Sequence, residues 1–246
     1  MRKPLGKTGS FISSKIGKAI KDYRLIEDGD RILVGVSGGK DSITLLRLLK
    51  ERQHWSPAKY DLIAAHVETD FKCGHCVHRR YLTALFKDTG LPYVFKKIKV
   101  KGISKKTVNC FWCSWNRRKE LFKTAQAKGC NKVALGHHKD DICETILLNL
   151  FFQGEISTMN PRQPLFRGVI TVIRPLCYVE ERTIRRFVRE SGLDKLTEKK
   201  MQSRDSNRKY LKRFIQDIEK RCPSVKTNIF RSIGRVKSEY IDLKTG

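Results

Sequence analysis

The chain has 246 residues and a formal net charge of +27 at pH 7, from 52 Lys and Arg against 25 Asp and Glu. Its length suits one domain with an extension and a sizeable hydrophobic core. The excess of cations predicts a polyanionic partner, either nucleic acid or an acidic membrane surface, because neutralising phosphates releases counterions. No apolar stretch approaches the ~20 residues of a membrane span, so we expect an RNA partner and no membrane.

Residues 1–23 are predicted to be a basic N-terminal extension. They lack the apolar core of a signal peptide, and a weak amphipathic helix is expected over Phe11–Tyr23, with Phe11, Ile12, Ile16 and Ile20 on one face. The chain also contains eight cysteines. Without a secretory signal, these cysteines indicate a reducing, cytoplasmic location and metal or sulfur chemistry rather than disulfides.

Strand-like apolar runs alternate with helical patterns along most of the chain. Strands are predicted at 31–36, 62–67, 93–100, 132–136 and 170–174, and helices at 41–53, 76–89, 115–128, 140–152 and 180–191. This alternation predicts an α/β fold, a doubly wound parallel sheet with helices on both faces, in a domain over 24–200. From 201 to 246, helical patterns at 207–221 and 225–233 predict a basic helical tail.

The first predicted strand ends in the run Ser-Gly-Gly-Lys-Asp-Ser, residues 37–42. Glycines let the backbone approach a ligand, and the N–H groups that begin the next helix attract anions. The common ATP-binding loop is excluded, since Gly35 to Gly39 is one residue too short and Asp41 follows the lysine. The run resembles the S-G-G-x-D-S loop of the PP-loop ATP pyrophosphatases. This resemblance implies that ATP is cleaved to AMP and pyrophosphate and is bound by Ser37, Gly38, Gly39, Lys40, Asp41 and Ser42.

A second motif, Gly-His-His-Lys-Asp-Asp at 136–141, follows the fourth predicted strand. It resembles the G-H-x-x-D-D motif of the tRNA-thiolating branch of this superfamily. The resemblance implies that Gly136 and Asp140 contribute to the nucleotide site and that Asp41 and Asp141 take part in catalysis. Adjacent carboxylates beside a phosphate loop suit Mg²⁺, or one of them orients a reacting group. Helix capping is the structural alternative.

A third motif is Cys110-Phe111-Trp112-Cys113, followed by Arg117 and Arg118. It resembles the C-x-x-C-S-x-x-R-R segment of the tRNA two-thiocytidine synthetase family. The resemblance implies that Cys110 and Cys113 are two of three ligands of a [4Fe–4S] cluster and that Arg117 contacts a phosphate or the adenylate. The structural alternative for the two cysteines is that their thiols simply pack at the start of a helix. The alternative for Arg117 is a solvated position on a helix face.

This family carries a third cysteine just before the segment that corresponds to 203–208. Here Lys200 or a neighbour occupies that position, and an ammonium group cannot replace a thiolate as an iron ligand. There are three explanations: another cysteine completes the site, the cluster is lost or altered, or this lineage lacks the cluster activity. Cys177 and Cys222 are the candidates for another ligand, and the register of the tail argues against Cys222. A second C-x-x-C pair, Cys73 and Cys76, is open to zinc binding, redox chemistry or no metal role.

The resemblance implies adenylation of the C2 oxygen of a pyrimidine in tRNA, followed by attack of sulfur at C2. An anticodon-loop cytidine is the expected target, and a uridine stays an alternative. The expected partners are tRNA and a sulfur donor, with a homodimer left open. We expect the backbone of His66 to bind the adenine of ATP. Trp112 is expected to stack on an unpaired base, whereas core packing is favoured for Trp115. The rival functions are a lysidine-type ligase and a non-catalytic RNA-binding protein.

Overall fold

The computed structural model describes residues 5–70, 79–101, 110–193, 207–237 and 239, with only the backbone of residue 110. The helices are α1 (Lys7–Tyr23), α2 (Lys40–Arg52), α3 (Arg79–Thr89), α4 (Cys110–Ala127), α5 (Lys139–Gln153), α6 (Glu181–Glu190), α7 (Asn207–Arg221) and α8 (Val225–Ser232). The strands are β1 (Asp30–Gly35), β2 (Tyr60–Thr69), β3 (Tyr93–Ile98), β4 (Lys132–Ala134), β5 (Arg162–Leu165) and β6 (Ile170–Ile173). None of these helices is long and apolar enough to cross a membrane.

The strands form one six-stranded sheet with the order β3-β2-β1-β4-β6-β5. The five predicted strands are confirmed, and all of them pair in parallel. A sixth strand, β5, was not predicted and pairs antiparallel with β6 at one edge of the sheet. Sequence patterns missed β5 because it is short and contains Pro164, which cannot donate a ladder hydrogen bond and so suits an edge strand.

The strand order reverses between β1 and β4, which lie side by side. In open α/β sheets, ligands bind beyond the carboxyl ends of the strands at such a switch point. The segment 37–42 follows β1, and Gly136 follows β4. The topology therefore brings two of the three sequence motifs to the two sides of one crevice.

The chain divides into two compact units. The first unit contains 1–138 and 160–202 and includes the whole sheet. On one face, β-strand residues such as Leu33, Ile63 and Val172 pack on Phe122 and Ala125 of α4. The alternating residues are also buried, which explains why these strands read as continuous apolar runs.

The N-terminal helix α1 packs into the first unit. Ile12 and Ile16 are fully buried, whereas Phe11, expected on the same helix face, is exposed. The helix begins earlier than expected, at Lys7. Arg52 of α2 donates from Nη1 to the carbonyl oxygen of Ser13 over 2.8 Å and stacks on Trp55, 4.1 Å from the ring centre. Burial lowers the pKa of Arg52. A buried guanidinium thus joins α1 to α2.

The second unit contains 139–159 and 203–246. Its helices α5, α7 and α8 enclose a small apolar cluster made of Cys143, Leu147, Leu211, Ile215 and Val225. The two helices predicted for the tail are confirmed. They do not stand alone, because α5, which the sequence assigned to the α/β domain, packs with both of them.

Candidate active site

The segment 37–42 forms a closed turn between β1 and α2. Gly38 has a φ of +90°, a conformation that side-chain-bearing residues rarely adopt. The Ser37 and Ser42 hydroxyl oxygens lie 3.2 Å apart, and Ser42 also donates to the carbonyl oxygen of Gly39 over 2.9 Å. No side chain caps α2 at Gly39. The first N–H groups of α2 thus form an anion-binding helix start.

Gly136 holds this turn against the end of β4. A Cβ atom at residue 136 would lie 2.9 Å from the backbone nitrogen of Ser42 and 3.0 Å from the backbone carbon of Asp41. Neither backbone atom is free to move away, since both belong to the first turn of α2. The glycine of the second motif therefore allows the two loops to meet backbone to backbone.

The lysine of the loop is held between two carboxylates. Lys40 Nζ lies 3.0 Å from Asp41 Oδ2 and 3.0 Å from Glu181 Oε1, and Glu181 also accepts from Arg185 over 2.6 Å. Burial alone would lower the pKa of Lys40, but the two carboxylates outweigh burial and raise it. Lys40 is therefore a fixed cation beside the phosphate-binding turn.

Asp41 also faces a histidine of the second motif. Its Oδ1 atom is buried and accepts no hydrogen bond from the described residues. His138 Nε2 lies 3.7 Å away, on a ring that is itself buried. One oxygen of Asp41 thus binds Lys40, while the other stays available to a further donor or a cation.

His66 lies in the second half of β2 with its ring buried. Its Nδ1 atom lies 2.6 Å from the carbonyl oxygen of Val36, the residue before the phosphate-binding turn. Burial lowers the pKa of His66, and Arg117 acts in the same direction, so the ring is neutral and donates from Nδ1. The side chain thus fixes the turn, and adenine binding by the backbone of His66 stays a prediction.

The third motif reaches the same edge of the sheet. Cys113 is buried in α4, and its sulfur lies 3.7 Å from Oγ1 of Thr69, the last residue of β2. Arg117, one turn later, donates from Nη2 to the same oxygen over 3.3 Å. Since α4 begins at Cys110 rather than after Cys113, the backbone positions 110 and 113 are related as i and i+3 along one helix.

Exposed aromatic rings cluster at the start of α4. Phe111 and Trp115 are 67% and 45% exposed, so the expected core packing of Trp115 is wrong. Trp112 lies edge-on to both neighbouring rings, at 5.5 and 5.9 Å between ring centres. Lys119 Nζ lies 5.1 Å from the Trp115 ring centre. Aromatic rings beside a cation are typical of surfaces that stack unpaired bases.

Asp140 and Asp141 begin α5 in the second unit, as predicted. Asp140 is buried and pairs with Lys226 over 3.0 Å, and Lys226 also binds Glu219 over 2.8 Å. The side chain of Asp140 thus has a structural partner. Asp141 is half-buried, and its carbonyl oxygen accepts from Thr145.

A complete ligand set for a cluster is not found in the described residues. They contain no group of three or more His, Cys, Asp or Glu side chains that could hold a metal ion. Cys177 does not fit as the third ligand, because it is fully buried and burial raises its pKa to about 12. Cys222 lies in the second unit. Cys73, Cys76, Lys200 and the side chain of Cys110 lie outside the described residues.

Three site residues were missed from the sequence: Thr69, His138 and Glu181. Thr69 lies three residues after the predicted site residue His66, and His138 lies two residues after Gly136, so the ends of predicted strands indicated where both residues would be found. Glu181 is far along the chain from the loop that it contacts, and an acidic residue in the first turn of a helix is common, since it interacts favourably with the helix dipole.

Comparisons with known proteins agree with this geometry. A model of the PP-loop domain matches residues 10–218. The tRNA-cytidine(32) 2-sulfurtransferase of Geobacter metallireducens is 37% identical over 94% of this chain and 91% of its own. The corresponding enzyme of Paracidovorax citrulli is 35% identical over 92% of this chain and 74% of its own.

Among solved structures, the fold is similar to that of the U34-tRNA thiolase NcsA from Methanococcus maripaludis, which has a [4Fe–4S] cluster. The TM-score is 0.74 and the identity 23%, over 96% of this chain and 81% of that one. At this identity the likeness concerns the fold alone. The chain therefore belongs to the PP-loop family and, within it, to the family of the tRNA-cytidine(32) 2-sulfurtransferases.

Proposed function

We propose that this protein is an ATP-dependent tRNA sulfurtransferase that converts a cytidine of the anticodon loop, at position 32, to 2-thiocytidine. The proposal is supported by relatives of that name at 35–37% identity over most of the chain. The observation that carries it is the placement of the phosphate-binding turn and of Cys113 at one edge of one sheet. His66 lies between the turn and the helix of Cys113, since its ring hydrogen-bonds to Val36 and Arg117 of that helix lowers its pKa.

In the first step, the triphosphate of ATP lies on the turn 37–42 at the start of α2. The backbone N–H groups and Lys40 would bind phosphate oxygens. The C2 oxygen of the cytidine attacks the α-phosphorus, a new C–O–P bond forms, and the α–β anhydride bond breaks to release pyrophosphate. Gly38, Gly39 and Gly136 have backbone roles in this step, because they let the loops and the phosphates approach closely.

In the second step, sulfur at the oxidation level of sulfide attacks C2. The carbon–oxygen bond breaks, and AMP leaves with the original oxygen. Adenylation is needed because oxide is a far poorer leaving group than AMP. We assign Cys110 and Cys113 to the delivery of sulfur. Arg117 would neutralise the negative charge of the adenylate, because it lies one turn from Cys113 and contacts the same threonine.

Magnesium would bind at Asp41. The buried Oδ1 atom of Asp41 is an oxygen ligand of the kind that Mg²⁺ prefers, beside substrate phosphates that would supply further ligands. Asp141 is the second candidate carboxylate. We propose that Asp140 contributes less to magnesium and nucleotide binding, since its carboxylate already pairs with Lys226.

A [4Fe–4S] cluster would supply an iron that carries sulfur, and Cys110 and Cys113 would be two of its ligands. The described residues do not provide a third one. The exposed rings of Phe111 and Trp115 are suited to stack on bases that flank the target. A separate sulfur donor and a cytoplasmic location stay predictions, and the homodimer stays open.

The proposal is tested by purifying the protein without oxygen and incubating it with ATP, sulfide and a tRNA transcript that has cytidine at position 32. Nucleosides are then analysed by mass spectrometry, and AMP and pyrophosphate are measured. We expect 2-thiocytidine, with one AMP for each modified base. Absence of AMP would indicate a non-catalytic RNA-binding protein, and formation of AMP with an amine added to the base would indicate a lysidine-type ligase.

A further inference from the structure

A cationic groove lies between α1 and α6 in the first unit, apart from the phosphate-binding turn. It has a volume of about 590 Å³ and is lined by Lys7 and Phe11 of α1 and by Arg182, Arg186 and Arg189 of α6. We propose that this groove binds the sugar–phosphate backbone of the RNA substrate. The inference rests on the proposed function, since it assigns a docking surface to the same tRNA.

The sequence of α6 separates a buried face from a cationic one. Ile184, Phe187 and Val188 are buried. The arginines of the groove follow each other at i, i+4 and i+7 and so share the opposite face. Because the apolar side of the helix already packs into the unit, the helix can offer only its arginines to a partner.

The cations of the groove exceed its carboxylates. Arg182 and Arg186 pair with Glu180 and Glu190, each over 2.7 Å, but their side chains are 72% and 67% exposed. Within the described ranges, Lys7 and Arg189 have no ion-pair partner. Exposed ion pairs contribute about 0–1 kcal/mol, so phosphates can readily replace the two glutamates.

An aromatic ring distinguishes the groove from a simple charged surface. Phe11 is 52% exposed, and Lys15 Nζ lies 5.4 Å from its ring centre. A ring among cations favours RNA with unpaired bases, which stack on aromatic side chains. An acidic membrane is a weaker fit, because an interfacial helix must present an apolar face outward and α6 buries its own.

The groove and the active site share the helix α6. Arg182, which lines the groove, follows Glu181, whose carboxylate binds Lys40 of the phosphate-binding turn. An RNA strand in the groove would therefore run along a helix whose first residue contacts the loop. This shared helix suits a substrate whose reacting base must reach the carboxyl edge of the sheet.

The test compares the wild type with the triple variant Lys7→Gln, Arg186→Gln, Arg189→Gln. A matched control changes Lys59, Lys87 and Lys128 to Gln, three exposed lysines close to the amino ends of strands. Binding of the tRNA transcript is measured by fluorescence anisotropy over a series of salt concentrations, and thermal unfolding is measured for each protein. A second variant, Lys7→Arg, Arg186→Lys, Arg189→Lys, keeps the charge.

We expect the groove variant to bind tRNA about 10-fold or more weakly and the salt slope to fall by about 2 to 3, since each lost phosphate contact removes about one ion. The control and the charge-keeping variant should bind like the wild type. Equal losses in groove and control variants would overturn the inference, as would a groove variant with unchanged affinity.

Two further results separate this inference from the proposed function. If the wild type thiolates tRNA and the groove variant does so with unchanged KM, only the docking surface is wrong. If the wild type neither binds nor modifies tRNA, the proposed function itself fails. Tighter binding of the wild type to vesicles of phosphatidylserine and phosphatidylcholine than to tRNA, lost in the groove variant, would also overturn the RNA assignment.

Discussion

Lys40 Nζ and Glu181 Oε1 lie 3.0 Å apart and join the phosphate-binding turn to the first residue of α6. We expect Glu181→Gln to lower the thiolation rate about 10-fold, equivalent to ~1.4 kcal/mol in the barrier, because Lys40 loses one of the two carboxylates that hold it. The measurement is kcat for the tRNA transcript as a function of pH.

The pH dependence of kcat shows in which direction the loss of Glu181 shifts the pKa of Lys40. The carboxylates raise the pKa of Lys40 above its usual value, so the protonated lysine is present at lower pH and is lost only as pH rises through the raised value. Removing Glu181 lowers that pKa, and the alkaline limb should move to lower pH. Asp88→Asn, which breaks an exposed pair with Arg47, is the matched control. An unshifted limb would contradict a positioning role.

Gly136→Ala should weaken ATP binding at least 10-fold. The added methyl group would lie 2.9 Å from the backbone nitrogen of Ser42, and such overpacking costs about 1–3 kcal/mol. Nucleotide affinity by calorimetry and the unfolding midpoint are the measurements. At Gly234 the nearest atom would be 3.9 Å from the new methyl, so Gly234→Ala should leave the affinity unchanged. Equal affinity in both variants would show that this contact is dispensable.

Cys113→Ser should abolish 2-thiocytidine formation while ATP still binds. Cys113 lies at the carboxyl edge beside Thr69, whereas Cys130 belongs to the apolar cluster under α4. Cys130→Ala is therefore the matched control and should keep its activity. Modified nucleosides, together with iron and sulfide content after oxygen-free purification, are measured in both variants. Thiolation by Cys113→Ser at the wild-type rate would remove this cysteine from the mechanism.

Glu144→Gln should change how stability depends on pH. Burial raises the pKa of Glu144 to about 7, although Arg208 opposes the shift. The folded protein therefore holds a proton that the unfolded chain releases, and the contribution of this group to stability falls as pH rises from about 4.5 to 7. The variant lacks this fall, so its stability relative to wild type should increase with pH, by at most roughly 3 kcal/mol.

Unfolding midpoints at pH 5 and pH 8 measure this difference. Asp217→Asn removes an exposed carboxylate of the same unit and should show no such trend. A relative stability of Glu144→Gln that stays constant between the two pH values would mean that Glu144 is ionised in the folded protein throughout this range.

Local patterns predicted the phosphate-binding turn because its chemistry lies in consecutive residues. The hydroxyl groups of Ser37 and Ser42 contact each other within one turn. The spacing of the glycines indicates the remaining geometry of that turn. The same is true of the parallel strands β1, β2, β4 and β6, whose apolar runs are mostly buried on both faces, whereas β3 at the sheet border is exposed or partly buried. Helix boundaries were predicted less accurately. The start of α4 was placed five residues too late, because Cys, Phe and Trp carry no clear helical signal.

Long-range partners could not be predicted in this way. Nothing near Glu181 in the sequence indicates that it binds Lys40, and nothing near Lys226 indicates that it neutralises Asp140. The burial of α1 likewise depends on Arg52, whose charge favours an exposed position on any sequence scale. Such contacts follow from the tertiary fold, which a single sequence does not display.

The two borders of the sheet also limit how copies of this protein can associate. Pro164 in β5 lacks an N–H group, and Lys96 and Lys97 occupy the last part of β3. Added strands from another molecule would meet a missing donor at one border and repelling ammonium groups at the other. The molecule is thereby protected against fibre-like growth even when many copies crowd onto the same polyanion.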